Sequence, residues 1–213
     1  MNVKVFALGP FAANTLVLIP DRGDKVFLVD PGFDVEQVLV WLKAQGKNLE
    51  AVLLTHAHLD HAYGVAAVHD AFPEAPVLLH PEDFPLYENL AEQARLFSFP
   101  PPQVAAAKAT LADGLTLQLE GESLLVRHCP GHSPGHVIFQ GNHGDKAWAA
   151  VGDVIFAGSV GRTDLWGGSF AALENSIRRV IYALPPETEL FPGHGPATTV
   201  AREMATNPFV SQP

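Results

Sequence analysis

Residues Thr55 to His61 read THAHLDH, so His56, His58, Asp60 and His61 place four potential metal ligands within six positions. No other stretch of the chain constrains its fold and chemistry as tightly. The preceding residues, Glu50 to Leu54 (EAVLL), read as a short buried strand, and Ala62 to Phe72 read as a helix. The cluster is therefore expected on a strand-to-helix loop. On a helix, His56 and His58 would diverge by about 200° and could not share an ion. In an extended segment, residues two apart point the same way, so His56 and His58 can face one ion. A backbone turn at the helix start would bring Asp60 and His61 to a second ion beside it. Imidazole and carboxylate donors suit zinc, and also iron or manganese.

Composition narrows the setting. A chain of 213 residues with 47% hydrophobic and 17% charged residues can bury a sizeable core as one domain. Its net charge of −10 speaks against a nucleic-acid or other polyphosphate partner, which would want a basic face. Cys129 is the single cysteine, which rules out an internal disulfide and fits a reducing compartment. The start, MNVKVFALGP, lacks the charged-then-apolar pattern of an export signal, and no apolar run approaches the ~20 residues of a membrane helix. The cytoplasm is the expected location.

Along the chain, strands are predicted at Asn2 to Leu8, Thr15 to Ile19 and Lys25 to Val29, with a hairpin turn at Asp21 to Asp24. A helix follows over Asp34 to Gln45, stopped by Gly46. Beyond the THAHLDH segment, Pro76 to Leu79 is a strand and Pro81 to Ala94 is helical in part. Leu96 to Pro102 (LFSFPPP) cannot be regular; it is an exposed aromatic loop that either lines a cleft or packs as a surface linker. Strands are predicted at Leu115 to Leu119, Ser123 to His128, Val137 to Gln140, Ala147 to Val151 and Thr188 to Phe191. Helices are predicted at Phe170 to Leu184 and Thr198 to Thr206. This order, without repeat or linker, reads as one α/β domain over residues 1–213, with two sheets and helices on their outer faces.

Two adjacent ions need more than four ligands. Three later segments supply candidates at strand ends, each beside glycines that allow close backbone approach: His132 in PGHSPGH, Asp153 in GD and His194 in GHG. His136 reads as a packing group or one that supports a ligand from behind. His69, His80, His128 and His143 read as ordinary core or surface histidines, and Cys129 as a small buried residue.

Taken in order, THAHLDH, PGHSPGH, GD and PGHG resemble the motifs of the metallo-β-lactamase superfamily, and Asp30-Pro31-Gly32 resembles its first motif. The resemblance covers nearly the whole chain. It implies an αββα four-layer sandwich with the metals at the edge where the sheets meet. It also implies that His56, His58 and His132 hold one metal, that Asp60, His61 and His194 hold the other, and that Asp153 bridges them. Within the superfamily the chain is most similar to glyoxalase II, the hydroxyacylglutathione hydrolases, and above all to their short bacterial relatives. Gly158 to Gly168 (GSVGRTDLWGG), Pro192 to Pro196 and Asn207-Pro208-Phe209 carry that likeness. Arg162 matches a basic residue that contacts glutathione. Asp164 and Pro196 replace two tyrosines of the family pattern, and the chain ends soon after His194 without the family's glutathione-binding helical extension.

The resemblance thus implies a hydrolase with two divalent ions, zinc first, and a small-molecule thioester as substrate. A hydroxide between the ions would attack the carbonyl carbon, and Asp60 would hold it and later take its proton. A thiolate of reference pKa about 8.5 leaves with little acid help, whereas an amide needs a proton donor. Two alternatives share these residues. Persulfide dioxygenases look similar, carry a GRTD stretch and use one iron at the positions of His56, His132 and Asp153; the PGHG segment leans away from them. A lactonase or phosphodiesterase could use the same dinuclear site.

Overall fold

Alternate residues of the central strands are buried on opposite faces, and this decides the layering. In the computed structural model, which describes residues 1–210, the first half of the chain contains β1 (Asn2–Leu8), β2 (Ala13–Ile19), β3 (Lys25–Val29), α1 (Glu36–Ala44), β4 (Asn48–Leu53), α2 (Leu59–Ala62), α3 (Val65–Ala71), β5 (Val77–Leu79), α4 (Phe84–Glu88), α5 (Leu90–Leu96) and β6 (Ala107–Ala109). The second half contains β7 (Thr116–Leu119), β8 (Glu122–His128), β9 (Val137–His143), β10 (Lys146–Gly152), β11 (Ile155–Phe156), β12 (Ser159–Val160), α6 (Phe170–Ser176), β13 (Glu189–Pro192), β14 (Thr198–Thr199) and α7 (Val200–Thr206). Strands β1 to β6 form one sheet in chain order. The second sheet runs β14-β13-β10-β9-β8-β7, and β11 pairs with β12 as a small ribbon.

In β2 and β3, Leu16, Leu18, Phe27 and Val29 face Leu124, Val126, Phe139 and Trp148 of the other sheet. Their neighbours Val17, Val26 and Leu28 face the other way, onto Val38 and Leu42 of α1 and Val65 and Val68 of α3. The second sheet does the same: Ala149, Val151 and Ile138 turn outward onto Leu173 of α6 and Val200 of α7. A period of two on strands covered on both faces explains why these segments are apolar almost throughout. The result is the expected αββα sandwich in a single domain. Among the described residues, no helix is long and apolar enough to cross a membrane.

Three departures from the sequence reading have physical causes. The first helix after β4 begins at Leu59 rather than Ala62, because extended His58 (φ −74°, ψ 155°) ends the loop and its carbonyl accepts from His61 and Ala62. Asp60 then sits in the first helical turn, where a carboxylate is favoured. That helix is also interrupted at Gly64, where a side chain would collide with the Gly32 carbonyl at 2.3 Å. The helix predicted over Phe170 to Leu184 is α-helical only to Ser176 and continues as a π-helical turn, Ile177–Ile181. Strands β6, β11, β12 and β14 are two or three residues long, too short to leave a periodic signal.

The sheets meet at one edge through a few specific bonds. The Asn14 backbone N–H donates to the Gly193 carbonyl at 2.7 Å, and its side chain donates to the carbonyls of Pro192 and Gly195, both at 2.9 Å. Val137 donates to the Thr55 carbonyl at 2.8 Å. These bonds bring the C-terminal ends of β4, β10 and β13 to the same rim.

Candidate metal centre

Each element ending at this rim delivers part of one cluster. The loop after β4 presents His56 and His58, the first turn of α2 presents Asp60 and His61, and the β8–β9 loop presents His132. Asp153 follows β10, and His194 follows β13. His56, His58 and His132 form one group whose ligand atoms lie within 4.8 Å of one another, and Asp60, His61 and His194 form a second. Asp153 stands between them: its Oδ1 is 3.4 Å from His61 Nε2, and its Oδ2 is 3.5 Å from His132 Nε2 and 3.7 Å from His194 Nε2. All seven side chains singled out in the sequence are therefore brought together at this rim.

The orientation of each ring follows from its outer nitrogen. His61 Nδ1 lies 3.1 Å from Asp30 Oδ2, His132 Nδ1 lies 2.7 Å from the Arg162 carbonyl, and His194 Nδ1 lies 3.1 Å from the Phe11 carbonyl. His56 Nδ1 lies 3.0 Å from the Thr55 hydroxyl, which itself donates to Asp30. With oxygen acceptors on Nδ1, these four rings carry their proton there and turn the Nε2 lone pair inward. His58 is reversed, with Nδ1 facing His132 Nε2 at 2.8 Å. His132 Nε2 is also 3.2 Å from His56 Nε2, and His61 Nε2 is 3.3 Å from His194 Nε2. Nε2 lone pairs converging at such distances, with the Nδ1 protons committed outward, are satisfied by a shared cation. The buried Asp153 Oδ1 has no hydrogen-bond partner within the chain, which fits the same requirement.

Electrostatics agree. Burial would push the His61 pKa down, yet Asp60, Asp153 and Asp30 outweigh it and raise it to about 10. Burial lowers His58 to about 3, helped by His132, and holds His56 well below the usual imidazole range. Burial works against ionisation of Asp60 as well, but His61 and His194 beside it bring its pKa below the usual carboxylate range. The rim of the metal-free chain thus combines neutral His56 and His58 with a His61 that keeps a second proton beside carboxylates, and a divalent metal would supply the positive charge which that proton now provides.

Tight packing holds the arrangement. A Cβ at Gly193 would lie 2.1 Å from Asp153 Oδ1, and one at Gly161 would lie 1.8 Å from the Asp153 carbonyl. These glycines are required by close approach of backbone to ligand.

Several supporting residues escaped the sequence reading. Asp30 was noted only through its motif; its φ of +51° is left-handed, a conformation that aspartate tolerates better than most residues. Asp83 lies in the stretch Pro81 to Ala94, read only as helical in part, and it is fully buried. It accepts from Ala57 N at 3.0 Å, Ser133 Oγ at 2.8 Å and Gly135 N at 2.6 Å, which ties the two histidine loops together. Nothing in the local sequence could have revealed this. His136 supports the ligands, as expected: its Nε2 accepts from Asp153 N at 3.0 Å and its ring stacks on His56. His80 and His128 stack on each other away from the centre, and Cys129 is buried with its thiol pKa pushed up by burial.

A cleft of about 380 Å³ opens over the cluster. Asp60, Asp153 and His194 lie at its floor, and Phe11, Phe97, Phe156, Val160 and Leu165 line its walls. The irregular Leu96 to Pro102 stretch therefore lines the cleft through Phe97, while Phe99 packs on Phe11 and Phe33. Arg162 is at the mouth, but its guanidinium is bound to both oxygens of Asp164, at 2.7 and 2.8 Å.

Comparison with known proteins agrees with this geometry. Residues 8–194 match the family model described as the metallo-beta-lactamase superfamily. The chain is 32% identical to the hydroxyacylglutathione hydrolase GloC of Haemophilus influenzae, over 99% of each protein. Among solved structures it is similar to the BLEG-1 B3 metallo-beta-lactamase, with a TM-score of 0.90 and 38% identity over 99% of this chain and 100% of that one. It is also similar to TTHA1623 in a di-iron-bound form, with a TM-score of 0.86 and 42% identity over 97% of this chain and 100% of that one. With its motifs in order, its two ligand sets at one rim and its fold shared, this chain belongs to the metallo-beta-lactamase superfamily of metal-dependent hydrolases.

Proposed function

We propose that the protein hydrolyses a small-molecule thioester at a dinuclear centre held by His56, His58 and His132 on one side and Asp60, His61 and His194 on the other, with Asp153 shared. The observation that carries this reading is the position of Asp153, whose two oxygens reach histidines of both sets. Bound there, two divalent ions, zinc first with iron or manganese possible, would polarise a carbonyl and acidify water to a pKa near 7. The GloC relative supports the thioester class, and the di-iron-bound neighbour supports two ions.

The chain's own residues have limited and definable tasks. Asp60 lines the cleft as an anion, so its carboxylate can orient a water molecule and take its proton. The elements of water add across the carbonyl carbon–sulfur bond. That bond breaks with its electron pair on sulfur, yielding a carboxylic acid and a thiol. A thiolate of reference pKa about 8.5 departs without a proton donor. Beyond the ligand set, the cleft is lined by apolar residues, Gln93 and Arg162, none of which is an acid able to protonate a leaving amine. This favours a thioester over an amide. Arg162 is the candidate contact for an anionic carrier, although it must exchange Asp164 for the substrate to serve as one.

The test is a paired assay on purified protein of measured metal content. Two ions per chain and turnover of acyl thioesters, exceeding that of a chromogenic β-lactam, support the proposal. One iron per chain with oxygen uptake on a persulfide would replace it with the dioxygenase reading; hydrolysis of lactones or phosphodiesters alone would replace it with theirs. A cytoplasmic setting would suit a thioester metabolite and a lone reduced cysteine.

A further inference from the structure

A second hollow of about 300 Å³ adjoins the catalytic cleft, and Gln93 of α5 is a wall of both. On one side of this partition Phe97 and Leu165 face the metal centre; on the other their chain neighbours Leu96 and Trp166 face the second hollow, with Leu86 beneath. Leu96 is 76% exposed and Trp166 60% exposed, so both offer apolar surface to whatever enters the hollow; Pro85, Asn89 and Glu92 complete its lining. Phe97, at 43%, and Phe11, at 37%, continue the apolar rim to the centre itself.

The partition is also free of unmet polar demand. Gln93 Nε2 donates to the carbonyls of Ala57 and Leu86, at 3.0 and 2.9 Å, and its Oε1 accepts from Leu59 N at 3.0 Å. Its amide hydrogens are spent on Ala57 of the ligand loop and on Leu86 of α4, so an apolar chain can pass over it without leaving a donor unsatisfied. The one cation at the mouth, Arg162, is matched by Asp164 and adds no free charge.

We propose that the second hollow is an acyl-chain subsite: an unbranched, apolar acyl chain on the thiol carrier runs from the metal centre past Gln93 and ends between Leu96 and Trp166. This rests on the thioester reading above and extends it to a substrate class. A short acyl group would stop at Phe97. Each further methylene leaves water, which is the source of selectivity for longer chains.

The test uses the metal-loaded enzyme with N-acetylcysteamine thioesters from acetyl to octanoyl. kcat/KM is expected to rise about fourfold per methylene once the chain passes Gln93, as burial of each CH₂ implies. Trp166→Ala should lower the octanoyl-to-acetyl ratio of kcat/KM at least tenfold. As a readout independent of turnover, the thioether S-octyl-N-acetylcysteamine should shift the tryptophan emission of the native enzyme, and Trp166→Phe should remove that shift. A flat chain-length series with good acetyl turnover overturns the subsite while leaving thioester hydrolysis intact. No thioester turnover, with the thioether still shifting Trp166 emission, overturns the thioester reading and retains an apolar-chain site. A dimer in sedimentation that Leu96→Ser dissociates would mean that a second copy covers this face, and that also overturns the subsite.

Discussion

Asp30 Oδ2 lies 3.1 Å from His61 Nδ1, and the same carboxylate accepts from Thr55 N at 2.7 Å and from Thr55 Oγ1 at 2.6 Å. Through these bonds Asp30 sets the tautomer of His61 directly and that of His56 through the Thr55 hydroxyl. With three donors already on its oxygens, Asp30 is placed to orient the histidines from behind. Asn at this position keeps the size and the tolerance of φ +51°, but turns an amide donor towards groups that themselves donate. Asp30→Asn should weaken metal binding by roughly 10- to 100-fold. Chelator competition measures this directly; unchanged affinity would remove Asp30 from its orienting role.

Asp153 is the residue both ligand sets share. Asp153→Ala should reduce metal content from two ions per chain to one or fewer, read by elemental analysis after dialysis. Two retained ions would contradict a bridging position.

Asp83 joins the histidine loops through three accepted bonds. Asp83→Ala leaves buried donors at Ala57, Ser133 and Gly135 without a partner, and should destabilise the fold by about 3 kcal/mol or more. Urea unfolding checks this. A change below ~1 kcal/mol would show that the loops are held by other contacts.

The buried histidines give the metal-free chain a distinctive acid sensitivity. Burial lowers His58 from 6.5 to about 3, and His56 and His136 are held well below 6.5 by the same cause. Groups with depressed folded pKa values bind more protons when unfolded, so their contribution is complete above pH 6.5 and is lost as pH falls towards 3. His61 works in the opposite sense: raised from 6.5 to about 10, it contributes fully below 6.5 and loses that contribution as pH rises through 10. Metal-stripped protein should therefore show a falling urea midpoint from pH 7 to pH 5, above the range in which ordinary carboxylates titrate. A flat midpoint across that range would show that these rings are not held neutral.

Arg162 and Asp164 are exposed partners, so each should act only modestly on substrate. Arg162→Ala is expected to raise KM for an anionic thioester roughly two- to fivefold, and Asp164→Ala to lower it by a similar factor, the range of a surface charge contact. Neither should alter KM for a neutral one. Identical effects on both substrates would mean that Arg162 acts through its backbone, which holds His132, rather than through its charge.

The spacing within THAHLDH was enough to identify four donors, because an extended loop entering a helix leaves few ways to arrange them. PGHSPGH, GD and GHG each stand where a strand ends, so His132, Asp153 and His194 were also legible as candidates, as were two sheets with helices on their outer faces; the αββα sandwich itself was implied by the family resemblance. What the linear order cannot contain is which distant groups share a proton or a wall. Asp83 carries no local signal; folding buries it between two loops some 25 and 50 residues away, at Ala57 and Ser133. Asp30 reads as a turn residue until β3 and β4 pair in parallel and bring Thr55 and His61 beside it. Nothing local sets Gln93, Leu96 and Trp166 apart until α5 and the loop after β12 bring them around two hollows. Local spacing determines which donors exist; only burial and long-range pairing decide which proton each ring keeps, because hydrogen bonds and desolvation depend on neighbours that meet in the folded chain alone.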